Sequence, residues 1–291
     1  MLGIIYACIP LFGWGIGDFL IQKSVRKVGI HQTLGVTGLL GGLMFLPWVW
    51  RDIGTYSLSE YGVLSLIGCI TFCGALLLFE ALRVGKISIV EAIVSIELPL
   101  SVFLSVFVGG EVLPISHWIL FAIVSIGIML AVTDQFENFG NAKHILEKGT
   151  LLALSAACFS ALTNFSIGFS SQAISPIFVV WYTHLFLGVI CLAYVLTTGT
   201  LRETVRIVRA HKGILFTQGA LDNIAWAGYA LAASITTVSL TVTISESYVV
   251  IAALLGYLVG KEQLRSHQII GSVIAFAGVI VLSFLHGGLE G

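Results

Sequence analysis

Long apolar segments of about twenty residues, separated by short polar connections, recur along the whole chain. A helix needs roughly 20 residues to cross about 30 Å of hydrocarbon, and continuous apolarity without strict alternation favours helices over barrel strands. The pattern therefore predicts an all-α integral membrane protein with ten transmembrane helices. The predicted spans are 3–22, 33–50, 61–82, 87–108, 115–133, 149–169, 176–198, 213–234, 238–259 and 266–286.

The composition agrees with a chain that lies in a lipid bilayer. Hydrophobic residues make up 57% of the 291 residues and charged residues only 10%, whereas a soluble domain carries about 25% charged residues. We expect a multi-pass protein of the cell membrane. The net charge of −1, without a basic run rich in aromatic residues, excludes a nucleic-acid partner.

The chain lacks the spacings that mark common catalytic, metal and nucleotide sites. HExxH, CxxC and GxxxxGK[ST] do not occur in the sequence. We therefore expect no catalytic residues, no metal and no cofactor. A small-molecule substrate and the bilayer are the expected partners, and a homodimer is left open.

Basic residues indicate how the spans are oriented, because Lys and Arg are retained on the cytoplasmic side. If the first span begins outside, alternate connections hold thirteen of the fourteen basic residues on the cytoplasmic face, and only Arg51 lies outside. This distribution predicts that both termini lie on the outer face and that the basic connection 200–212 lies in the cytoplasm.

One half of the chain repeats the other. Residues 62–134 shifted by 151 positions fall on residues 213–285, so that Gly109 meets Gly260 and Glu111 meets Glu262 without a gap. An offset of 146 places Asp18 on Asn164. Chance similarity of apolar segments is the alternative, but matching glycines and Gly-x-Glu pairs favour a true repeat.

The repeat divides the chain into two units of five helices, residues 1–134 and 149–291, joined by a linker loop at 135–148. Five is an odd number, so the second unit enters the membrane upside down relative to the first. Inverted repeats of this kind are a transporter architecture, with the substrate site near the midplane between the halves.

Two matching runs resemble the second half of an EamA domain: ISIVEAIVSIELPLSVFLSVFVGGEVL at 87–113 and VSLTVTISESYVVIAALLGYLVGKEQL at 238–264. The chain is thus similar to the ten-helix drug/metabolite transporter superfamily. The resemblance implies two inverted EamA-like repeats and a secondary transporter that exports or exchanges amino acids, other metabolites or sugar conjugates. Well-known members keep both termini in the cytoplasm, whereas the charge distribution here predicts the reverse.

Six of the fifteen acidic residues lie within predicted spans, and none of the Lys or Arg residues does. A charge at the bilayer centre costs at least about 2.5–3.5 kcal/mol on insertion scales, so such residues usually face a cavity. Burial disfavours the charged form of a carboxyl group. Acids without a basic partner therefore predict proton coupling or recognition of a cation. Glu80 is the exception, because Arg83 one turn on predicts an interfacial ion pair.

The mid-span acids have neighbours that suit a polar site. Pro99, two residues after Glu97, lacks an amide hydrogen and is expected to free the carbonyl of Ser95. Trp14, one helical turn from Asp18, suits an organic cation, although ordinary packing explains it equally well. The candidate substrate and proton path comprises Asp18, Glu91, Glu97, Asp222, Glu246, Trp14, Ser95, Asn164, His184, Asn223, Trp226 and Tyr248.

Some of these candidates keep a structural alternative. Glu91 could reach Lys86 at the membrane surface, and His184 could be either a proton relay or a hydrogen-bonded core histidine. Glu111 and Glu262 lie at helix ends, where each is expected to cap the following helix.

The sequence thus predicts a secondary active transporter of a small polar or cationic metabolite that is coupled to protons. Broad efflux of cationic drugs is an alternative within the same class. An intramembrane enzyme acting on lipid-linked substrates is the alternative from another class. The chain lacks a paired-carboxylate or paired-histidine signature and a long loop for a catalytic subdomain, which argues against that enzyme.

Overall fold

The computed structural model describes residues 1–85, 90, 93–133, 148–248, 250–251 and 265–289, and within these ranges the regular structure is entirely helical. Glu91, Lys86 and Glu262 lie outside the described residues. The helices are α1 Leu2–Lys27, α2 Ile30–Val49, α3 Leu58–Val84, α4 Glu97–Phe107, α5 Ile115–Val132, α6 Lys148–Ser170, α7 Pro176–Thr197, α8 Leu201–Ala210, α9 Lys212–Ile235, α10 Val238–Ser245 and α11 Ser266–Leu289.

Local sequence signals determine where several helices begin. Ser57 and Glu60 form a reciprocal capping box at the start of α3, and Pro176 occupies the first turn of α7, where no amide hydrogen is needed. Gly29 has a φ of 107° in the turn between α1 and α2, a conformation that glycine adopts at little cost.

Six of the described helices are long and apolar enough to cross a membrane: α1, α2, α3, α6, α7 and α11. The protein is therefore a multi-pass integral membrane protein, and the count of ten spans stays a prediction. The connection at 200–212, expected to be a loop, instead contains the short helix α8, whose basic side chains alternate with Leu201, Val205 and Val208.

Predicted spans four and nine are not continuous helices. Pro99 predicts a break in span four, whereas the break in span nine was not predicted. In span four a turn at residues 95–96 precedes α4, and in span nine a turn at residues 246–247 follows α10. The two turns are 151 residues apart, which is the offset of the repeat. Both halves therefore interrupt the same helix at the same point.

The four most extensive helix pairs all join the first half to the second. Helix α1 packs on α9, α2 on α7, α3 on α6 and α5 on α11, and α4 packs on α10. In the repeat, α1 corresponds to α6 and α3 corresponds to α9, so the α1–α9 pair is the counterpart of the α3–α6 pair. In each of the other three pairs, the two helices are counterparts of each other. The packing therefore follows the repeat that the sequence predicts.

Glycines allow some of these helices to approach closely. A Cβ atom on Gly38 of α2 would lie 2.5 Å from the backbone nitrogen of Gly188 on α7. A Cβ atom on Gly127 of α5 would lie 2.6 Å from the backbone nitrogen of Ala275 on α11. The backbones at both crossings are in contact, so a larger side chain would force the helices apart.

Candidate functional site

A cavity of about 110 Å³ lies between the two halves, where the interrupted helices meet α1, α6, α7 and α9. Its polar lining includes four carboxylic acids, one from α1, one from α9 and one beside each helix interruption. The lining residues are Trp14, Asp18, Ile21, Leu34, Thr37, Thr71, Gly74, Ala75, Leu78, Phe79, Val94, Glu97, Ser160, Thr163, Asn164, His184, Leu187, Asp222, Trp226, Glu246 and Tyr248.

Asn164 joins the acids of the two interrupted helices. Its amide nitrogen Nδ2 donates to Oε1 of Glu97 and, at 3.0 Å, to Oε1 of Glu246. Tyr229 holds the backbone at this point, because its hydroxyl donates to the carbonyl oxygen of Asn164 at 2.8 Å. One amide from α6 therefore bridges a carboxyl group of each half, and all three side chains are buried.

Asp18 and Asp222 occupy the other side of the cavity. The side chain of Asp18 is hydrogen-bonded to Tyr248, two residues beyond Glu246. Oδ2 of Asp222 lies 3.7 Å from Nε2 of His184, while Nδ1 of that imidazole contacts the carbonyl oxygen of Val180 at 3.0 Å. The histidine is thus held by the backbone on one side and faces an acid on the other.

Aromatic rings form a wall of the cavity beside the acids. The ring of Trp14 packs edge-on against Trp226, with centroids 5.0 Å apart, and against Tyr248, with centroids 5.9 Å apart. Tyr229 packs against Trp226 at 5.6 Å from behind. Such a wall offers ring faces to an organic cation or to the C–H face of a sugar.

No Lys or Arg belongs to the described residues that line the cavity. The described ion pairs that involve Lys or Arg lie elsewhere, as with Glu80, whose carboxylate binds Arg83 at 2.6 Å near the end of α3. This contact confirms the ion pair predicted for Glu80, and its position at the membrane interface stays a prediction. Four acids therefore share one cavity with one histidine as the only basic side chain in the described lining.

Two predicted site residues lie away from the cavity. Ser95 is half-buried in the turn before α4, and its carbonyl accepts the amide hydrogen of Leu98 at 3.4 Å, so Pro99 does not leave that carbonyl free. Asn223 points from α9 toward α2, where Nδ2 donates to the carbonyls of Thr37 and Gly219. Neither residue belongs to the described lining of the cavity, and a part for either in the substrate or proton path stays a prediction.

The cavity also contains polar residues that were not among the candidates. Ser160 and Thr163 line it together with Asn164 on α6, and Thr37 and Thr71 contribute from α2 and α3. The three- and four-residue spacing on α6 is a signal in the sequence that could have identified its polar face. The buried hydroxyl of Thr163 has no hydrogen-bond partner among the described residues.

Glu111 caps a helix, but not the following one as expected. Its carboxylate accepts hydrogen bonds from the backbone nitrogens of Val238 and Ser239 and from the hydroxyl of Ser239, all at the start of α10. The acid of one half therefore satisfies the helix N-terminus of the other half. Pairing across the halves could not be anticipated from local spacing.

Comparison with known proteins places the chain in a family. The sequence profile described as the EamA-like transporter family matches residues 1–133 and again residues 147–284. The chain belongs to this family. It is accordingly a membrane protein of a transporter family, and the resemblance noted in the sequence is confirmed.

The EamA-like chain is also similar to individual proteins. Two proteins from Streptococcus pyogenes serotypes M1 and M3, provisionally named as sugar uptake proteins, are each 29% identical over 198 residues. The match covers 64% of this chain and 60% of each relative, so the chain spans about 60% of the length of the curated relatives it matches. A solved crystal structure superposes with a TM-score of 0.74 over 99% of both chains at 16% identity, which concerns the fold alone.

Proposed function

We propose that the protein is a secondary active transporter that moves a small polar or cationic metabolite across the cell membrane and couples this movement to protons. The observation that carries the proposal is the group of four acids around one cavity whose described lining lacks Lys and Arg. Membership of a transporter family supports the class, and the cavity supports the finer assignment.

The arrangement of the acids suits exchange between a proton and a ligand. A carboxyl group without a cationic partner in a membrane interior is stabilised by a proton or by a bound cation. Asn164 links Glu97 and Glu246 through one amide group. Protonation or ligand binding at either acid therefore alters the hydrogen bonds of the other, which connects proton binding with events in both halves.

The interrupted helices add to the recognition of a cation. Helix α10 ends at Ser245, with Glu246 at its C-cap, so the negative end of the helix dipole points toward the cavity. Transporters use the C-terminal ends of such half-helices to hold cations near the midplane. Trp14 and Trp226 supply the adjacent ring faces.

The size of the cavity favours a small solute over a bulky drug. Its volume is about 110 Å³, whereas a cavity of roughly 150 Å³ is known to hold benzene. We therefore place the transport of a metabolite ahead of broad drug efflux. The family and the lining also favour transport over an intramembrane enzyme.

Sugar uptake is a second candidate, and the names of the Streptococcus pyogenes relatives favour it. Carboxylates accept hydrogen bonds from sugar hydroxyl groups, and side-chain amides both donate and accept them. Tryptophan rings pack on sugar C–H faces. The same residues offer contacts to a neutral sugar while an acid carries the proton, provided that the cavity of about 110 Å³ widens, since a monosaccharide is larger than benzene. Thermal stabilisation of the purified protein by monosaccharides, but not by amines or amino acids, would select this candidate.

The test uses the purified full-length protein in proteoliposomes with a ligand found by that thermal screen. Glu97→Gln and Asp222→Asn keep the size and hydrogen bonding of the side chains but remove the proton site. Uptake driven by an imposed pH gradient should fall at least tenfold, while exchange of substrate at equal pH on both sides should fall much less.

Glu80→Gln provides the control, because this acid lies in a span but pairs with Arg83 away from the cavity. It should transport like the wild type. Normal gradient-driven uptake by both Glu97→Gln and Asp222→Asn would overturn proton coupling through these acids.

A further inference from the structure

A second cavity, of about 410 Å³, lies at one end of the helix bundle between α2, α7, α8 and α9, apart from the acidic cavity. Its walls are mainly aliphatic. The lining residues that bear on its ligand are His31, Val36, Leu39, Thr204, Arg209 and Lys212. No Asp or Glu belongs to this described lining, so the pocket combines an apolar interior with a cationic edge.

Helix α8 forms one side of this pocket and receives little support from the protein. None of its residues is buried, and Leu201 and Val205 are 43% and 39% exposed. A ten-residue helix is marginal by itself in water. An amphipathic basic helix with a lightly covered apolar face is typical of a helix that lies in the membrane interface.

Two buried polar atoms at the pocket lack partners. Nδ1 of His31 and Oγ1 of Thr204 are shielded from solvent, and neither forms a hydrogen bond with a described residue. His31 is held in place by its ring contact with Tyr194, with centroids 4.1 Å apart. Buried polar groups normally have a hydrogen-bond partner, so these two atoms indicate a polar ligand group beside the cationic edge.

Arg209 and Lys212 supply positive charge at the same edge. Within the described residues neither forms an ion pair, whereas Arg206 on the same helix lies 4.0 Å from Glu203. The basic residues of this connection predict a cytoplasmic position, where the leaflet carries anionic lipids that attract such clusters.

We propose that this pocket binds an anionic phospholipid of the cytoplasmic leaflet. Arg209 and Lys212 hold the phosphate, His31 and Thr204 hydrogen-bond to the headgroup region, and an acyl chain occupies the aliphatic interior toward Val36 and Leu39. The bound lipid covers the apolar side of α8 and joins α2 and α7 to α9.

The test measures lipids retained by the purified full-length protein in native mass spectrometry. The protein is exchanged with an equimolar mixture of dioleoyl phosphatidylglycerol and dioleoyl phosphatidylcholine, which carry the same acyl chains. The wild type should retain phosphatidylglycerol selectively. Soluble glycerol phosphate should fail to displace it, because that probe lacks the acyl chain.

A second experiment tests the role of the positive charges by comparing two double variants that each lose two of them. Arg209→Gln with Lys212→Gln should weaken phosphatidylglycerol binding about thirtyfold, because each cationic contact near a membrane surface contributes roughly a fivefold factor. Arg202→Gln with Arg206→Gln, whose side chains do not line the pocket, should keep most of the binding.

Each of the following results would support or contradict the proposed lipid site. Equal losses in both double variants would mean diffuse attraction to α8 and would overturn the pocket, as would unchanged binding in both. Displacement by glycerol phosphate would overturn the role of the acyl chain. Equal unfolding temperatures of the variants in lipid-free detergent would show that the fold is intact.

Discussion

The carboxylate of Glu111 offers a direct measure of how strongly the two halves are joined. It accepts the backbone hydrogens of Val238 and Ser239 and the hydroxyl of Ser239. Without this carboxylate, the backbone N–H groups of Val238 and Ser239 have no hydrogen-bond acceptor among the described residues. We predict that Glu111→Ala destabilises the protein and that Glu111→Gln does so less.

The magnitude follows from the number and kind of hydrogen bonds. A hydrogen bond to a charged group contributes about 1.5–3 kcal/mol when its partner remains buried. The site is only partly buried, so water replaces part of the loss, and we expect roughly 2–4 kcal/mol for Glu111→Ala. Glutamine keeps one acceptor oxygen but loses the charge at a helix N-terminus, which amounts to about 1 kcal/mol.

The assay is thermal unfolding of the purified full-length protein in detergent, followed by tryptophan fluorescence. Glu60→Ala is the matched control, because Glu60 also caps a helix but does so locally and in solvent, through Ser57. Glu111→Ala should lower the unfolding temperature by several degrees and Glu60→Ala much less. If the two variants unfold at the same temperature, the contact of Glu111 with α10 does not hold the halves together.

Three further outcomes are expected. Asn223→Leu should destabilise the protein by about 1–2 kcal/mol in thermal unfolding and leave the substrate KM unchanged. A changed KM would show that Asn223 contacts the substrate. Gly127→Val should cost about 1–3 kcal/mol by separating α5 from α11, and an unaltered unfolding temperature would refute that close contact. A cysteine at Glu203 should react with a membrane-impermeant maleimide only in opened cells, and one at Thr55 should react in intact cells; the reverse labelling would overturn the predicted topology.

The sequence was most informative where a single physical rule decided the outcome. Lipid cannot solvate a carboxylate at mid-depth, so the mid-span acids Glu97, Asp222 and Glu246 had to face something other than lipid. The structure brings these three acids, and Asp18, which was expected nearer one mouth, to one cavity. The repeat offset of 151 also relates the two helix interruptions, at residues 95–96 and 246–247, although only the first was predicted.

Side-chain direction limited the remaining predictions. Successive helical residues point about 100° apart, so Asp222 and Trp226 share the cavity side of α9, whereas Asn223 turns toward α2. The interruption before Glu97 also could not be placed by composition, since the run is apolar on both sides and only Pro99 marks it. The cap formed by Glu111 depends on a contact more than 120 residues distant in sequence, which no local pattern contains.

The packing between halves has a consequence for how the protein is made. Helices α1, α2, α3 and α5 find their main partners only among α6, α7, α9 and α11, which the ribosome produces later. During synthesis the first half is therefore inserted into the membrane before its partner helices exist. Its packing surfaces and the carboxyl group of Asp18 stay uncovered until the second half is made. Neither half can complete its own interior. Fragments separated within residues 134–148 should accumulate only when both are made in the same cell, and assembly is then a bimolecular reaction whose yield depends on their abundance.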